Sequence, residues 1–165
     1  MGSIGSVDYY SAIHNFQQVS WEGITEQEKR TLSRYIDNQP DVTESLQRGM
    51  VVSQNTIDDW INKGEVTLND ISSWSTGSGQ AFADVPRQVD AEDGQRSVIL
   101  VSENGLPMSA ALPRTNSYDE KEVLSKVNKL DIVDVQVQEN PYRTVTGYRS
   151  YSPTITVIKV RRKRG

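Results

Sequence analysis

Apolar residues recur at helical spacing in the first half of the chain. The sequence from Thr25 to Asn38 predicts a helix, because Thr25 and Glu28 form a capping-box pattern. Pro40 ends this run, since proline cannot continue a helix. The predicted apolar face of this helix consists of Leu32, Tyr35 and Ile36.

Further elements are expected in the same half. A second helix is predicted over 56–63, with Gly64 as its left-handed C-terminal cap. One face of this helix would carry Ile57, Trp60 and Ile61. The stretch 46–52 has the composition of a strand, and a short third helix is expected over 80–83. A helical extension is expected over residues 1–20.

The pattern changes to that of strands in the second half. Residues 97–101 form a continuous apolar run suited to a buried strand, and 132–138 alternate between apolar and polar positions. Residues 154–160 are rich in β-branched side chains and predict a further strand. Helices followed by strands indicate an α+β fold class.

Length and composition indicate one soluble domain over residues 1–165, since the chain is long enough to bury one core. No stretch of about 20 consecutive apolar residues is present, so no membrane span is expected. The start of the chain lacks the pattern of a secretory signal peptide, so we expect action in a cytoplasm. The absence of cysteine and the single histidine, His14, argue against thiol chemistry, histidine-based triads and a metal centre.

Charge gives little support for nucleic acid as a partner. The net charge is −4, although a basic tail over 161–165 contains three arginines and one lysine. The remainder of the chain is therefore more acidic than the total suggests and would repel a polyanion. We expect the tail to be a solvated chain end.

Three stretches carry groups that could handle a dinucleotide. Arg48 lies on the predicted strand, followed by Gly49, and a guanidinium can bind a phosphate with two parallel hydrogen bonds. Ser73 and Ser75 would point to the same side of an extended segment, with Trp74 packed behind or beside them. The alternatives are a surface arginine on a strand and an ordinary loop leading into a helix.

Glu120 and Glu122 form the third stretch. In an extended segment both carboxylates face one side, roughly 6 to 7 Å apart at a rise of ~3.3 Å per residue. Paired carboxylates can take different roles in cleaving a glycosidic bond through an oxocarbenium-like transition state. The alternative is a solvated strand edge.

Taken in order, these stretches resemble the mono-ADP-ribosyltransferases of the arginine, serine, Glu-x-Glu class, a group with many bacterial toxins and phage-encoded enzymes. The resemblance runs from about Trp21 to Val137. It implies two small, mostly antiparallel sheets around an NAD cleft, with helices toward the N-terminal side. It also implies transfer of ADP-ribose from NAD to a protein side chain, with release of nicotinamide.

The resemblance assigns roles to individual residues. Arg48 would hold the NAD phosphates, and Ser73 would orient the glutamates. Glu122 would be the catalytic glutamate that binds the nicotinamide ribose and stabilises the developing cation. The remaining NAD-binding residues would be Gly49, Trp74, Ser75 and Phe82, of which Trp74 and Ser75 would shape the nicotinamide side of the pocket.

The acceptor side is assigned in the same way. Glu120 would meet the acceptor, and in the family a glutamate at this place accompanies arginine acceptors, so an arginine-bearing protein is the expected partner. Tyr118 is a candidate for substrate contact, with a packed turn tyrosine as the alternative. Trp74 and Gln47 depart from the family, where a threonine and an aromatic residue are frequent. The alternative functions are an NAD glycohydrolase on the same scaffold and a non-catalytic binding module.

Overall fold

A computed structural model describes residue 12 and the ranges 23–76, 95–112, 122–139 and 154–163. Within these ranges the chain forms two helices and eight strands. In chain order they are α1 (Glu26–Asp37), β1 (Leu46–Ser53), α2 (Gln54–Lys63), β2 (Glu65–Thr67), β3 (Ser72–Ser75), β4 (Gln95–Ser102), β5 (Ser109–Ala111), β6 (Glu122–Ser125), β7 (Lys129–Glu139) and β8 (Thr154–Arg162). The α+β class expected from the sequence is confirmed.

Helix α1 starts and ends as its sequence predicts. The Thr25 hydroxyl accepts a hydrogen bond from the Glu28 amide at 3.1 Å, and the Glu28 carboxylate accepts one from the Thr25 amide at 3.0 Å. This reciprocal pair provides acceptors for two backbone N–H groups that have no partner within the helix. Leu32 and Ile36 are buried, so the predicted apolar face packs against the sheet.

Helix α2 begins two residues before the predicted position. The Ser53 hydroxyl accepts a hydrogen bond from the Thr56 amide at 3.1 Å and so caps the helix start. Gly64 ends the helix with a φ of 69°, in the left-handed region, as predicted. Ile57 and Trp60 are buried, whereas Ile61 is 45% exposed, so Ile61 lies at the border of the apolar face.

The eight strands form one mixed sheet in the order β2-β7-β8-β4-β1-β3-β6-β5. Only β4 and β8 pair in parallel. The two small sheets expected from the resemblance are therefore continuous, but their junction is narrow, because β1 and β3 share the single facing pair Gln47 and Ser75. This junction lies at the candidate site.

Both faces of the central strand β4 are buried. Val98 and Leu100 belong to the core cluster that also contains Trp60 of α2, whereas Ile99 packs with Ile155 on the other face. A separate core cluster joins α1 to the far end of the sheet. The continuous apolar run of β4 reflects this two-sided burial. In the described part of the chain, no helix is long and apolar enough to cross a membrane.

The helix expected over 80–83 and most of the expected extension over 1–20 lie outside the described residues. The strands expected over 97–101, 132–138 and 154–160 are confirmed within β4, β7 and β8.

Two glycines with positive φ, Gly64 and Gly105, differ in how closely other backbone atoms approach them. Gly105 has a φ of 73°, and a Cβ atom added there would lie 1.9 Å from the Val42 carbonyl oxygen. A Cβ atom added at Gly64 would have no other atom within 4 Å. We expect Gly105→Ala to lower the free energy of unfolding by about 3 kcal/mol. Gly64→Ala should cost about 1 kcal/mol. Urea denaturation measures both, and equal losses would contradict the close approach at Gly105.

Candidate active site

Three neighbouring strands bring the predicted groups together. Arg48 lies on β1, Ser73 on β3, and Glu122 is the first residue of β6. These strands are consecutive in the sheet, although their residues are far apart in the sequence. Antiparallel pairing of β3 with β6 sets Ser75 opposite Glu122 and Ser73 opposite Leu124.

Ser73 contacts both charged groups. Its hydroxyl donates a hydrogen bond to Glu122 Oε2 at 2.5 Å. Its backbone carbonyl accepts a hydrogen bond from Arg48 Nη1 at 2.7 Å. The structure thus places Arg48, Ser73 and Glu122 in one continuous set of hydrogen bonds, which we call the triad.

The Arg48 guanidinium is largely removed from water. Burial lowers its pKa, and the nearby Glu122 carboxylate opposes this shift. Arginine remains protonated at any physiological pH despite such a shift. Arg48 Nε is buried and has no hydrogen-bond partner. A buried cation with an unused donor is a site that an anion such as a phosphate would stabilise.

Ser75 and Gln47 extend the polar surface beside the triad. Ser75 faces Glu122 on one side and Gln47 on the other. The Ser75 hydroxyl donates to the Gln47 backbone carbonyl over 3.5 Å, a long contact. Facing residues of adjacent strands project to the same side of a sheet, so Gln47, Ser75 and Glu122 share one face.

Trp74 points away from this face. It is 2% exposed, faces Val123 and belongs to the main core cluster. Its indole N–H donates to the Ser72 hydroxyl at 2.7 Å. Successive side chains of a strand point to opposite faces, so Trp74 packs in the core on the face of β3 opposite to Ser73 and Ser75. Its expected role at the nicotinamide side of the pocket stays a prediction.

Ser72 is a structural residue of the site that the sequence analysis did not single out. It is 3% exposed and provides the only hydrogen bond described for the buried Trp74 indole. The signal was present in the sequence, since residues two apart on a strand share a face. The serine cluster was expected to contact a ligand, and this internal hydrogen bond was not predicted.

The remaining predicted site residues divide into two groups. Gly49 lies on β1 directly after Arg48 and faces Ile99 of β4. Phe82, Tyr118 and Glu120 lie outside the described residues, as do 77–94 and 113–121 as a whole. Because these segments are not described, the site is characterised by the hydrogen bonds of the triad and not by the volume of a cavity.

Two cavities found within the described ranges lie elsewhere. One, of about 580 Å³, is lined by the turn Glu103–Pro107 and the end of β8. The other, of about 510 Å³, lies beside α1. Neither is lined by a residue of the triad. The described residues also contain no cluster of three or more acidic or histidine side chains that could hold a metal ion.

Comparison with known proteins gives matches among solved structures. No protein-family model and no curated protein sequence matches the chain. The Vis toxin, an ADP-ribosyltransferase from Vibrio splendidus, is 15% identical with a TM-score of 0.58, and the match covers 98% of this chain and 68% of that one. A structure of Vis in complex with agmatine matches with a TM-score of 0.59 and 16% identity, over 97% of this chain and 71% of that one.

Two further toxins show the same architecture. C3larvin, an ADP-ribosyltransferase from Paenibacillus larvae, is 13% identical with a TM-score of 0.54, over 95% of this chain and 96% of that one. The ADP-ribosylating toxin BECa of a C. perfringens binary enterotoxin, solved with NADH, is 13% identical with a TM-score of 0.51. That match covers 92% of this chain and 40% of BECa. The chain therefore has the ADP-ribosyltransferase fold of these bacterial toxins.

Proposed function

We propose that this protein transfers ADP-ribose from NAD to an arginine side chain of another protein and releases nicotinamide. The observation that carries the proposal is the triad, in which Ser73 links the Arg48 guanidinium to the Glu122 carboxylate. The fold shared with ADP-ribosylating toxins supports the same reaction class.

The described residues fit NAD as the substrate. Arg48 has a buried, unpartnered Nε and a desolvated guanidinium, and a diphosphate would supply both the acceptor and the negative charge. Glu122 is an acceptor for ribose hydroxyls and is fixed by the Ser73 hydroxyl. The neighbour BECa was solved with the related dinucleotide NADH, which supports this assignment.

The reaction breaks the bond between the ribose C1′ and the nicotinamide nitrogen. The electron pair of this bond goes to the nitrogen, so the positively charged pyridinium ring leaves as neutral nicotinamide. The positive charge moves to the ribose C1′ and its ring oxygen. Glu122 would stabilise this positive charge with its own negative charge. Because the Ser73 hydroxyl already holds the carboxylate by a hydrogen bond, little reorganisation is needed during the reaction.

The new bond forms between the ribose C1′ and a guanidino nitrogen of the acceptor arginine. That nitrogen loses a proton as the bond forms, and Glu120 is the group proposed to receive it. The assignment of Glu120 comes from the Glu-x-Glu resemblance. It is supported by the neighbour Vis, whose complex with agmatine holds a small molecule with the same guanidinium group.

Glu122→Gln tests the proposed cation stabilisation. We expect nicotinamide release to fall by about 10² to 10³, because a neutral amide cannot stabilise the ribosyl cation as a carboxylate does. Nicotinamide is measured by chromatography after incubation with NAD, with circular dichroism to verify folding. Glu103→Gln is the matched control, because Glu103 pairs with Lys159 at 2.9 Å on the exposed surface and should leave turnover unchanged. Full activity of folded Glu122→Gln would refute the mechanism.

Ser73→Ala and Ser72→Ala separate catalysis from packing. Ser73→Ala removes a hydrogen bond to a charged group, and we expect nicotinamide release to fall about tenfold to a hundredfold. Ser72→Ala removes the partner of the buried Trp74 indole, so the free energy of unfolding should fall by about 1 to 3 kcal/mol. Activity per folded molecule should be retained in Ser72→Ala. Turnover and urea denaturation are measured for both, and a Ser73→Ala protein with normal turnover would contradict the proposed role.

Glu120→Gln tests the acceptor. We expect transfer of labelled ADP-ribose to agmatine or to lysate proteins to fall at least tenfold, because the acceptor guanidinium loses its carboxylate partner. Release of nicotinamide to water should persist, since Glu122 is intact. Unchanged transfer to agmatine would rule out this role of Glu120. Nicotinamide release by the wild type without any labelled acceptor would instead favour an NAD glycohydrolase.

A further inference from the structure

Gln47 occupies a place in the candidate site that the sequence analysis treated only as a departure from the family. It precedes Arg48 on β1 and faces Ser75 of β3, which in turn faces Glu122 of β6. The three side chains therefore form a row across three strands on one face of the sheet. At a strand spacing of about 4.8 Å, this row is about 10 Å long.

The side-chain carbonyl oxygen of Gln47 is buried and has no hydrogen-bond partner. Buried polar atoms are nearly always paired in folded proteins, so an exception calls for an explanation. Within the described ranges, two of the three side chains with such an atom are the neighbours Gln47 and Arg48, and the third is Ser97. Gln47 and Arg48 are neighbours in the sequence, and the unpaired atom is an acceptor in Gln47 and a donor in Arg48.

We propose that Gln47 is a substrate-binding residue whose side-chain carbonyl accepts a hydrogen bond from the nicotinamide riboside half of NAD. This inference rests on the proposed function. The diphosphate cannot be the partner, because its oxygens at neutral pH are acceptors, as the Gln47 carbonyl is. The nicotinamide riboside half carries donors, namely two ribose hydroxyls and the carboxamide N–H groups.

The position of Gln47 in the row indicates that its partner is the nicotinamide riboside half of NAD. Glu122, at the end of the row, is the residue proposed to hold the nicotinamide ribose, and Ser75 lies between it and Gln47. A nicotinamide riboside lying along the row would bring one of its donors to the Gln47 carbonyl. The unpaired acceptor is then a feature that lowers stability in the free protein and is satisfied when the substrate binds.

Gln47→Met tests the inference, because methionine keeps the length of the side chain and removes the polar atoms. We expect the dissociation constant for NAD, measured by isothermal titration calorimetry, to rise about fivefold to tenfold. The melting temperature should rise by a few degrees, because the buried unpaired carbonyl is gone. A purely structural role would raise the melting temperature and leave NAD binding unchanged.

Ser97→Ala is the matched control. The Ser97 hydroxyl is also buried without a partner, but it lies on β4 opposite Val51 and Ile155, outside the row. We expect this variant to raise the melting temperature as well and to change the dissociation constant for NAD by less than about twofold. An equal loss of NAD binding in both variants would overturn the inference.

Nicotinic acid adenine dinucleotide identifies the donor, because it carries a carboxylate in place of the carboxamide. If the carboxamide donates, the wild type prefers NAD over this analogue and Gln47→Met loses that preference. If a ribose hydroxyl donates, Gln47→Met weakens both dinucleotides equally. Either result supports the inference, and unchanged binding of both refutes it. Failure of the wild type to bind NAD would overturn the proposed function itself and this inference with it.

Discussion

Ser73 is the residue on which the candidate site depends, because it contacts both charged partners at once. Its hydroxyl fixes the Glu122 carboxylate and its backbone carbonyl holds the Arg48 guanidinium. A guanidinium and a carboxylate free to approach each other would pair directly and neutralise the site. Ser73 instead contacts one donor of the arginine and one oxygen of the glutamate, so that it links a cation and an anion carried by two different strands.

The sheet provides this arrangement through a narrow junction. Strands β1 and β3 share one facing pair, whereas β1 pairs with β4 along its whole length and β3 pairs with β6 along its whole length. Arg48 thus belongs to one half of the sheet, and Ser73 and Glu122 belong to the other. The buried Trp74 and its hydrogen bond to Ser72 stabilise β3 from behind. Packing of Trp74 in the core therefore fixes the strand that carries Ser73 and Ser75.

Local patterns predicted much of the fold. The capping box of Thr25 and the left-handed cap at Gly64 are short-range signals, and both helices they mark are present. The start of α2 was predicted two residues late, because Ser53 was not recognised as the residue that caps the helix. The order of strands and the narrow junction depend on tertiary packing, which periodicity does not record. Likewise, Gln47 became a candidate only when its unpaired carbonyl was seen.

A crystal structure of the protein with NAD bound tests the central claim most directly. The account predicts diphosphate oxygens within about 3 Å of the Arg48 guanidinium, including Nε, and a nicotinamide-ribose hydroxyl at the same distance from Glu122. Ser73 would still donate to the carboxylate in that complex. A dinucleotide bound elsewhere, for example in the cavity beside Lys159–Arg162, with Arg48 and Glu122 untouched, would contradict the account.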